Sequence, residues 1–392
     1  MSPEENVIEL DDTKKKRRIK KKRTGYKFKS LDFWMLVMVM GLVIFGVVMV
    51  FSASFYNAIS KNGTPFYYLI RDIIFAVLGT VVMLFMSAFD YHKLKKFTFP
   101  VLAVSVVLLI LLLVPSLPFV VSYNGSARWI GLGFFNLMPG EIAKPAMILF
   151  TAAWLGSSYK RVTDIKNGVI PVFLVMVVVC GLIAVNNAIT SATVAAIMLG
   201  MLFVAGLSLW YFGGLMGLGI LGFAALILTD SKGYRLARVT SFLHPFDDPQ
   251  GAGYQVIQGL LALGSGGLTG LGLGKSMQKT LYLPEPQNDF IYAVIGEELG
   301  YVGLLVLLMV YLGLIYRCVK VALKAPDLFG CLLAAGITIM LALQVILNIM
   351  VVTSLMPPTG VALPFISWGG NALLVFMGSM GVMLNISRQV EK

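Results

Sequence analysis

Apolar residues in this chain come in long unbroken blocks rather than in the spaced stripes of a soluble amphipathic helix. Ten such blocks lie near residues 31–54, 68–88, 97–118, 138–157, 167–186, 188–207, 209–228, 289–316, 329–352 and 362–386. A bilayer core about 30 Å thick is crossed by roughly 20 helical residues, so each block predicts one membrane span. The expected fold class is an all-α polytopic membrane protein with about ten transmembrane helices.

The polar intervals are unequal. The first loop on the amino-terminal helix's far side runs from Ser52 to Phe66 and the second from about Pro118 to Asn136. The third and largest, from Thr229 to about Asn288, joins helices seven and eight. Loops this long are usually either functional or disordered. The third contains Tyr234, Phe242, Pro245, Tyr254, Gln255, Leu260 and many glycines, which predicts a segment folded against the membrane. Residues 1–29 read as a basic, disordered arm and residues 30–392 as one helical domain without an internal repeat.

Composition agrees with the pattern: 58% of the 392 residues are hydrophobic and 13% charged, and the mean hydropathy is +0.86, outside the range of soluble domains. The net charge of +12 is concentrated between Lys14 and Arg23, with Lys27 and Lys29 following. No basic folded domain accompanies this run, which argues against a nucleic-acid partner. A juxtamembrane basic run instead fixes orientation and meets anionic lipid heads. With the amino terminus cytoplasmic, Lys93, Lys95 and Lys96, then Lys160, Arg161 and Lys166, then Arg317, Lys320 and Lys324, and finally Arg388 all fall inside. Both termini are therefore expected in the cytoplasm. The first apolar run is too long for the core of a cleavable signal peptide. Cys180, Cys318 and Cys331 read as packing residues, and the isolated His92 and His244 lack metal-ligand spacing.

Acidic residues at the edge of an apolar span need a reason, and the stretch LPEPQNDFIYAVIGEELG at 283–300 holds Glu285, Asp289, Glu297 and Glu298. Asp289 and Glu297, eight residues apart, share roughly one helical face, with Glu298 about 100° away. Asp289 reads either as a helix cap or as a partly desolvated carboxylate able to act as a general base. The segment GSGGLTGLGLG at 264–274, followed by Lys275, resembles a phosphate loop, but Thr269 stands where its first glycine belongs. A weaker expectation is that its backbone N–H groups, with Lys275, bind a phosphate or pyrophosphate. Glu141 and Lys144, three residues apart, read as a helix-start pair or as a marker of a substrate path. Arg128 with Trp129 fits an interfacial anchor, and Arg71 fits either a snorkelling cation or a phosphate ligand. Pro357, Pro358, Pro364, Gly369 and Gly370, on the approach to and inside the last span, predict a broken helix there. Gly213, Gly217 and Gly222 suggest close helix packing.

Taken together, SARWI at 126–130, EIAK at 141–144, GYQ at 253–255, the glycine-rich segment, residues 283–300 and TGVALPFISWGG at 359–370 resemble the SEDS family, which comprises FtsW, RodA and SpoVE. The likeness covers nearly the whole chain after the basic arm. Gln287 and Asn288 before Asp289 resemble the division and sporulation branch, FtsW and SpoVE, rather than RodA. The resemblance implies ten helices in the bacterial cytoplasmic membrane and polymerisation of lipid II into glycan strands at its outer face. It also implies a class B penicillin-binding protein as transpeptidase partner, alongside other division or sporulation proteins. In the implied inverting reaction, the 4-hydroxyl of one lipid-linked disaccharide attacks the anomeric carbon of another chain, and undecaprenyl pyrophosphate leaves. By the same resemblance Asp289 is the base, and Arg71, Arg128, Lys144 and Lys275 are candidates to receive the pyrophosphate. Trp129, Glu141, Gln255, Ser265, Glu285 and Glu298 complete the expected substrate-binding set. No ligand cluster demands a metal, although magnesium or manganese would suit a pyrophosphate.

Two departures stand out. The family's PDLGTA is replaced by Asn187, Ala188, Ile189, Thr190, Ser191 and Ala192, which loses an acid, and Met138 and Gly140 stand where Gln and Ser are usual. Other functions that fit ten spans are a lipid flippase or transporter, and a non-catalytic scaffold for a partner synthase.

Overall fold

The computed structural model describes residues 31–390 except 124, 125, 132, 134, 159–163, 229–241 and 252. The basic arm, Lys160, Arg161 and Tyr234 lie outside the described residues.

Helix α1 is Phe33–Asn62, started by Asp32, whose side chain accepts from Met35 N, and ended by Gly63 at φ 72°. Then come α2 (Tyr67–Ala88), a 3-10 turn (Tyr91–Lys93) and α3 (Leu94–Leu111). Strands β1 (Val120–Tyr123), β2 (Ser126–Gly131) and β3 (Asn136–Leu137) form an antiparallel sheet in that order, pairing Val120 with Ile130 and Ile130 with Leu137. After them run α4 (Pro139–Leu155), a π-helical turn (Ile165–Val169), α5 (Ile170–Asn186), α6 (Ala188–Val204) and α7 (Leu209–Leu228). A short α8 (Tyr254–Ser265) lies within the third loop and is followed by α9 (Ile291–Leu323), α10 (Leu328–Val352) and α11 (Gly370–Gln389).

Each of the ten apolar blocks is a helix. Among the described residues seven are long and apolar enough to cross a membrane, and two shorter apolar helices, Ala188–Val204 and Leu209–Gly222, stand beside them. The chain is thus a multi-pass membrane protein. Its loop end carries the starts of α2, α4 and α9 and the ends of α1 and α10.

Three expectations need correction. With 30 residues, α1 is about 45 Å long at 1.5 Å per residue, so Ser52 lies inside the helix rather than in a loop. The interval from Pro118 is partly a sheet, because backbone near a membrane must find partners and β1 to β3 supply them to one another. Gly213, Gly217 and Gly222 do not mediate close packing, since a Cβ on any of them would meet no atom within 4 Å.

Close packing is instead found between α2 and α11. A Cβ at Gly370 would lie 2.5 Å from the Phe75 ring, and one at Gly381 would run into the backbone of Met83. Without a hydrophobic drive between helices in lipid, such small-residue contacts carry much of the association. At the end opposite the loop, Arg317 pairs with Asp32 at 2.7 Å, and Tyr91 N donates to Asn385 Oδ1 at 3.0 Å.

Candidate active site

The site is built around a break in α9. Gly300 has φ 68° and ψ −172°, which interrupts the helix and leaves the carbonyls before it without their usual donors. The glycine-rich loop fills that gap: Leu271 N donates to Glu297 O at 3.0 Å and Gly272 N to Glu298 O at 2.9 Å. In return Tyr301 N donates to Gly267 O at 2.9 Å and Val302 N to Leu268 O at 3.1 Å. A side chain on Gly266 or Gly270 would collide with the backbone of residues 296–298, and a Cβ on Gly300 would lie 2.5 Å from Leu268 O. The glycines do permit close backbone approach, but to α9 rather than to a ligand. The expected anion nest is therefore corrected, because the N–H groups of residues 270–272 are already spent inside the protein.

The two glutamates before the break turn in different directions. Glu297 accepts from Ser276 Oγ at 2.5 Å and Met277 N at 2.8 Å, and Gln278 N reaches it at 3.3 Å, so it caps the next turn of the loop. Glu298 accepts from Ser52 Oγ of α1 at 2.7 Å and from Lys279 Nζ at 2.7 Å, and Lys279 also donates to Ser52 at 2.9 Å. Glu298 is fully buried and Lys279 2% exposed. Together they hold loop, α1 and α9 in one register. Glu298, expected to bind substrate, is thus an internal partner, and Lys279 is a residue that sequence pattern did not single out.

Asp289 lies in the turn before α9, which starts at Ile291 with no side-chain cap on Phe290. It is half-buried, and its carbonyl accepts from Asn348 Nδ2 of α10 at 2.9 Å. Just upstream, Glu285, at φ 47°, pairs with Lys61 at the end of α1 and accepts from Gln287 Nε2 at 2.8 Å. Gln287 is buried, and its carbonyl accepts from Trp368 N at 2.9 Å. A Cβ on Gly259 of α8 would lie 2.6 Å from the Phe290 ring. Gln255, one turn earlier, shares that face of the helix.

The residues from 353 to 369 form no regular helix, so the last span starts at Gly370 rather than at 362. Side chains replace the missing ladder, as a broken membrane segment requires. Gln344 Nε2 donates to Ala362 O at 3.3 Å, Asn348 Nδ2 to Val361 O at 2.8 Å, and the Tyr311 hydroxyl to Pro364 O. Gln344 Oε1 in turn accepts from Lys144 Nζ at 2.9 Å. Lys144 pairs with Glu141 at 2.7 Å, as their spacing predicted. Gln344 sits eight residues before the end of α10, about 12 Å below it, so this ion pair lies inside the span. Glu141 Oε2 is buried without a partner among the described residues.

The remaining expected contacts are spread around this core. Arg128 Nε donates to Asn186 O at 3.3 Å, tying β2 to the end of α5, and the adjacent Trp129 pairs with Val121 across the sheet. Arg71 stacks on the Tyr67 ring at 4.2 Å. Lys275 is exposed. Ser265 is exposed as well, and its hydroxyl donates to Ala262 O at 3.0 Å. The two sequence departures touch each other: a Cβ on Gly140 would lie 3.1 Å from Thr190 Cγ2. Where the family pattern has Ser and Gly at these positions this chain has Gly and Thr, so side-chain volume has moved from α4 to α6. Asn187 caps α6 by accepting from Thr190 N at 3.1 Å, a role that suits asparagine.

Comparison with known proteins agrees with the fold. The FtsW/RodA/SpoVE family model, described as cell cycle protein, matches residues 33–392. Stage V sporulation protein E of Bacillus subtilis is 40% identical over 360 residues, covering 92% of this chain and 97% of its own. The probable peptidoglycan glycosyltransferase FtsW of Trichlorobacter lovleyi is 39% identical over 366 residues, covering 93% and 95%. Among solved structures, a peptidoglycan synthase complex that coordinates polymerisation and crosslinking contains a chain with TM-score 0.74 at 27% identity, covering 92% of this chain and 98% of that one. The rod shape determining protein RodA of Thermus thermophilus gives TM-score 0.66 at 25% identity, covering 93% and 98%.

Proposed function

This chain belongs to the FtsW/RodA/SpoVE family, and from that premise we propose that it polymerises lipid II into glycan strands in cell division or sporulation, releasing undecaprenyl pyrophosphate. It is a peptidoglycan glycosyltransferase, as its FtsW relatives are named. The observation that carries the chemistry is Asp289, a half-buried carboxylate in the turn before α9, held by its carbonyl to α10.

The reaction needs a base for the hydroxyl proton and positive charge for the leaving group. In this proposal Asp289 takes the proton from the acceptor 4-hydroxyl as its oxygen bonds to the anomeric carbon of the donor. The bond from that carbon to the pyrophosphate oxygen breaks on the opposite face, which inverts the centre. Arg71 and Lys275, at the loop end, and Arg128 on β2 meet the pyrophosphate charge. Lys144 is already shared between Glu141 and Gln344, so its role is to hold the Glu141 carboxylate toward the substrate.

Among the described residues no group of three or more His, Cys, Asp or Glu side chains is placed to hold a metal. A magnesium or manganese ion at the pyrophosphate would draw its ligands mainly from phosphate oxygens and water. The cationic side chains then carry the protein's share of the charge.

The loop end faces outward in this proposal, because Lys93, Lys95, Lys166, Arg317, Lys320 and Arg388 gather at the other end and cytoplasmic loops favour Lys and Arg. Both termini are then cytoplasmic. The partner is a class B penicillin-binding protein, a reading supported by the similarity to a synthase that couples polymerisation to crosslinking. The test is glycan synthesis from lipid II by the purified full chain, with and without that transpeptidase. Synthesis lost in Asp289→Ala is expected, and undiminished synthesis by that variant would sink the assignment.

A further inference from the structure

Asn348 is a fully buried amide in the largely apolar α10. Its amide nitrogen has two hydrogens to give, and it lies 2.9 Å from Asp289 O and 2.8 Å from Val361 O. Both neighbours are carbonyl oxygens, which can only accept. That fixes the amide orientation, with nitrogen toward them, and leaves Oδ1 buried without a partner among the described residues. An acceptor left orphaned inside a span is unfavourable. Its presence indicates that holding these two carbonyls together is worth that loss.

Asp289 precedes Phe290, the N-cap of α9. Ala293 N, which would bond Asp289 O in a continuous helix, turns instead to Phe290 O at 2.9 Å. Asp289 O is thereby released from the α9 ladder, and Asn348 takes it. One turn below, Gln344 joins Lys144 to Ala362 O. Four hydrogen bonds thus run from the Glu141–Lys144 pair through α10 and residues 361–362 to Asp289.

We infer that Asn348 is a positioning residue for the glycosyl transfer: its amide sets the placement of Asp289 relative to the segment 361–362 and, through Gln344, to the Glu141–Lys144 pair. The inference rests on Asp289 being the base. Misplacement by about 1 Å lowers a reaction rate about 100-fold, so the effect belongs in kcat rather than in KM.

The test is the initial rate of lipid II polymerisation by the full chain with its transpeptidase, across acidic to alkaline pH, for the unaltered protein, Asn348→Asp and Asp289→Ala. A carboxylate in place of the amide has no hydrogen to give either carbonyl, and protonation at lower pH restores one donor. Asn348→Asp is expected to lose about 10- to 100-fold in kcat at neutral pH, with KM within about twofold. The ratio of its kcat to that of the unaltered protein should rise as pH falls, a response that simple loss of folded protein does not give. If Asn348→Asp does not accumulate, Asn348→Ser keeps one donor and should show the same split between kcat and KM. An unchanged kcat in whichever variant folds, or a flat ratio for a folded Asn348→Asp, with Asp289→Ala inactive, overturns the inference alone. An active Asp289→Ala overturns the base assignment and this inference with it.

Discussion

Glu298 and Glu141 are both buried acids paired with a lysine at 2.7 Å, yet their hydrogen-bond accounts differ. At the break of α9 every carboxylate oxygen of Glu297 and Glu298 is taken, by Ser276, Met277 N and Gln278 N or by Ser52 and Lys279. On the side of residues 359–368, Glu141 Oε2 has no partner among the described residues. Neither do Asn288 Oδ1, Asn348 Oδ1, Thr359 Oγ1 and Trp368 Nε1. Buried polar groups are nearly always satisfied, so the completed acids read as architecture, and in the proposed function the open oxygen of Glu141 is the one that meets substrate. Gln278 Oε1 beside the break is orphaned as well, as are Ser54 Oγ, Ser105 Oγ and Arg317 Nε.

The largest expected effect breaks the completed side. Glu298→Ala strands Lys279 in a fully buried position and should destabilise the fold by about 3–5 kcal/mol, read by unfolding in detergent. A change below about 1 kcal/mol would mean the pair is not architectural. On the incomplete side, Glu141→Gln also takes the counter-charge from buried Lys144 and should cost some stability, while kcat of the folded protein drops about 100-fold, equivalent to about 2.7 kcal/mol. Equal loss of stability and activity would erase the distinction between the two glutamates.

A smaller effect sharpens the account of α4. Gly140→Ser should overpack against Thr190 by about 1–3 kcal/mol, and Thr190→Gly in the same chain should recover most of it. Additive losses in that double-mutant cycle would show that the exchange of volume is not a coupled one. The smallest effect concerns Lys61 and Glu285, whose side chains are 49% and 36% exposed. Lys61→Ala should change stability by less than about 1 kcal/mol, although it lies in the same loop end as Asp289.

The ten helices were legible because block length alone distinguishes a span, and the Glu141–Lys144 pair because three-residue spacing puts both side chains on one face. Asp289 stood out as an acid at an apolar edge, but its role came from the resemblance. Lys279 was not legible: it lies in a loop without periodicity, and its partner Glu298 is nineteen residues further on. Gln344 and Asn348 do leave a trace, two amides four residues apart in an apolar span, which charge patterning passes over. The glycines of residues 266–272 announced close approach without saying to what. The answer lay in Gly300, whose positive φ opens the helix that they enter.

The central claim is that chemistry resides on Asp289 while the other acids of residues 283–300 hold the site together. It is tested most directly by lipid II polymerisation with folded Asp289→Asn, a near-isosteric change that removes the base. The expected result is a melting temperature close to that of the unaltered protein and glycan synthesis reduced by a thousandfold or more, about 4 kcal/mol. Synthesis within tenfold of the unaltered protein would contradict the account.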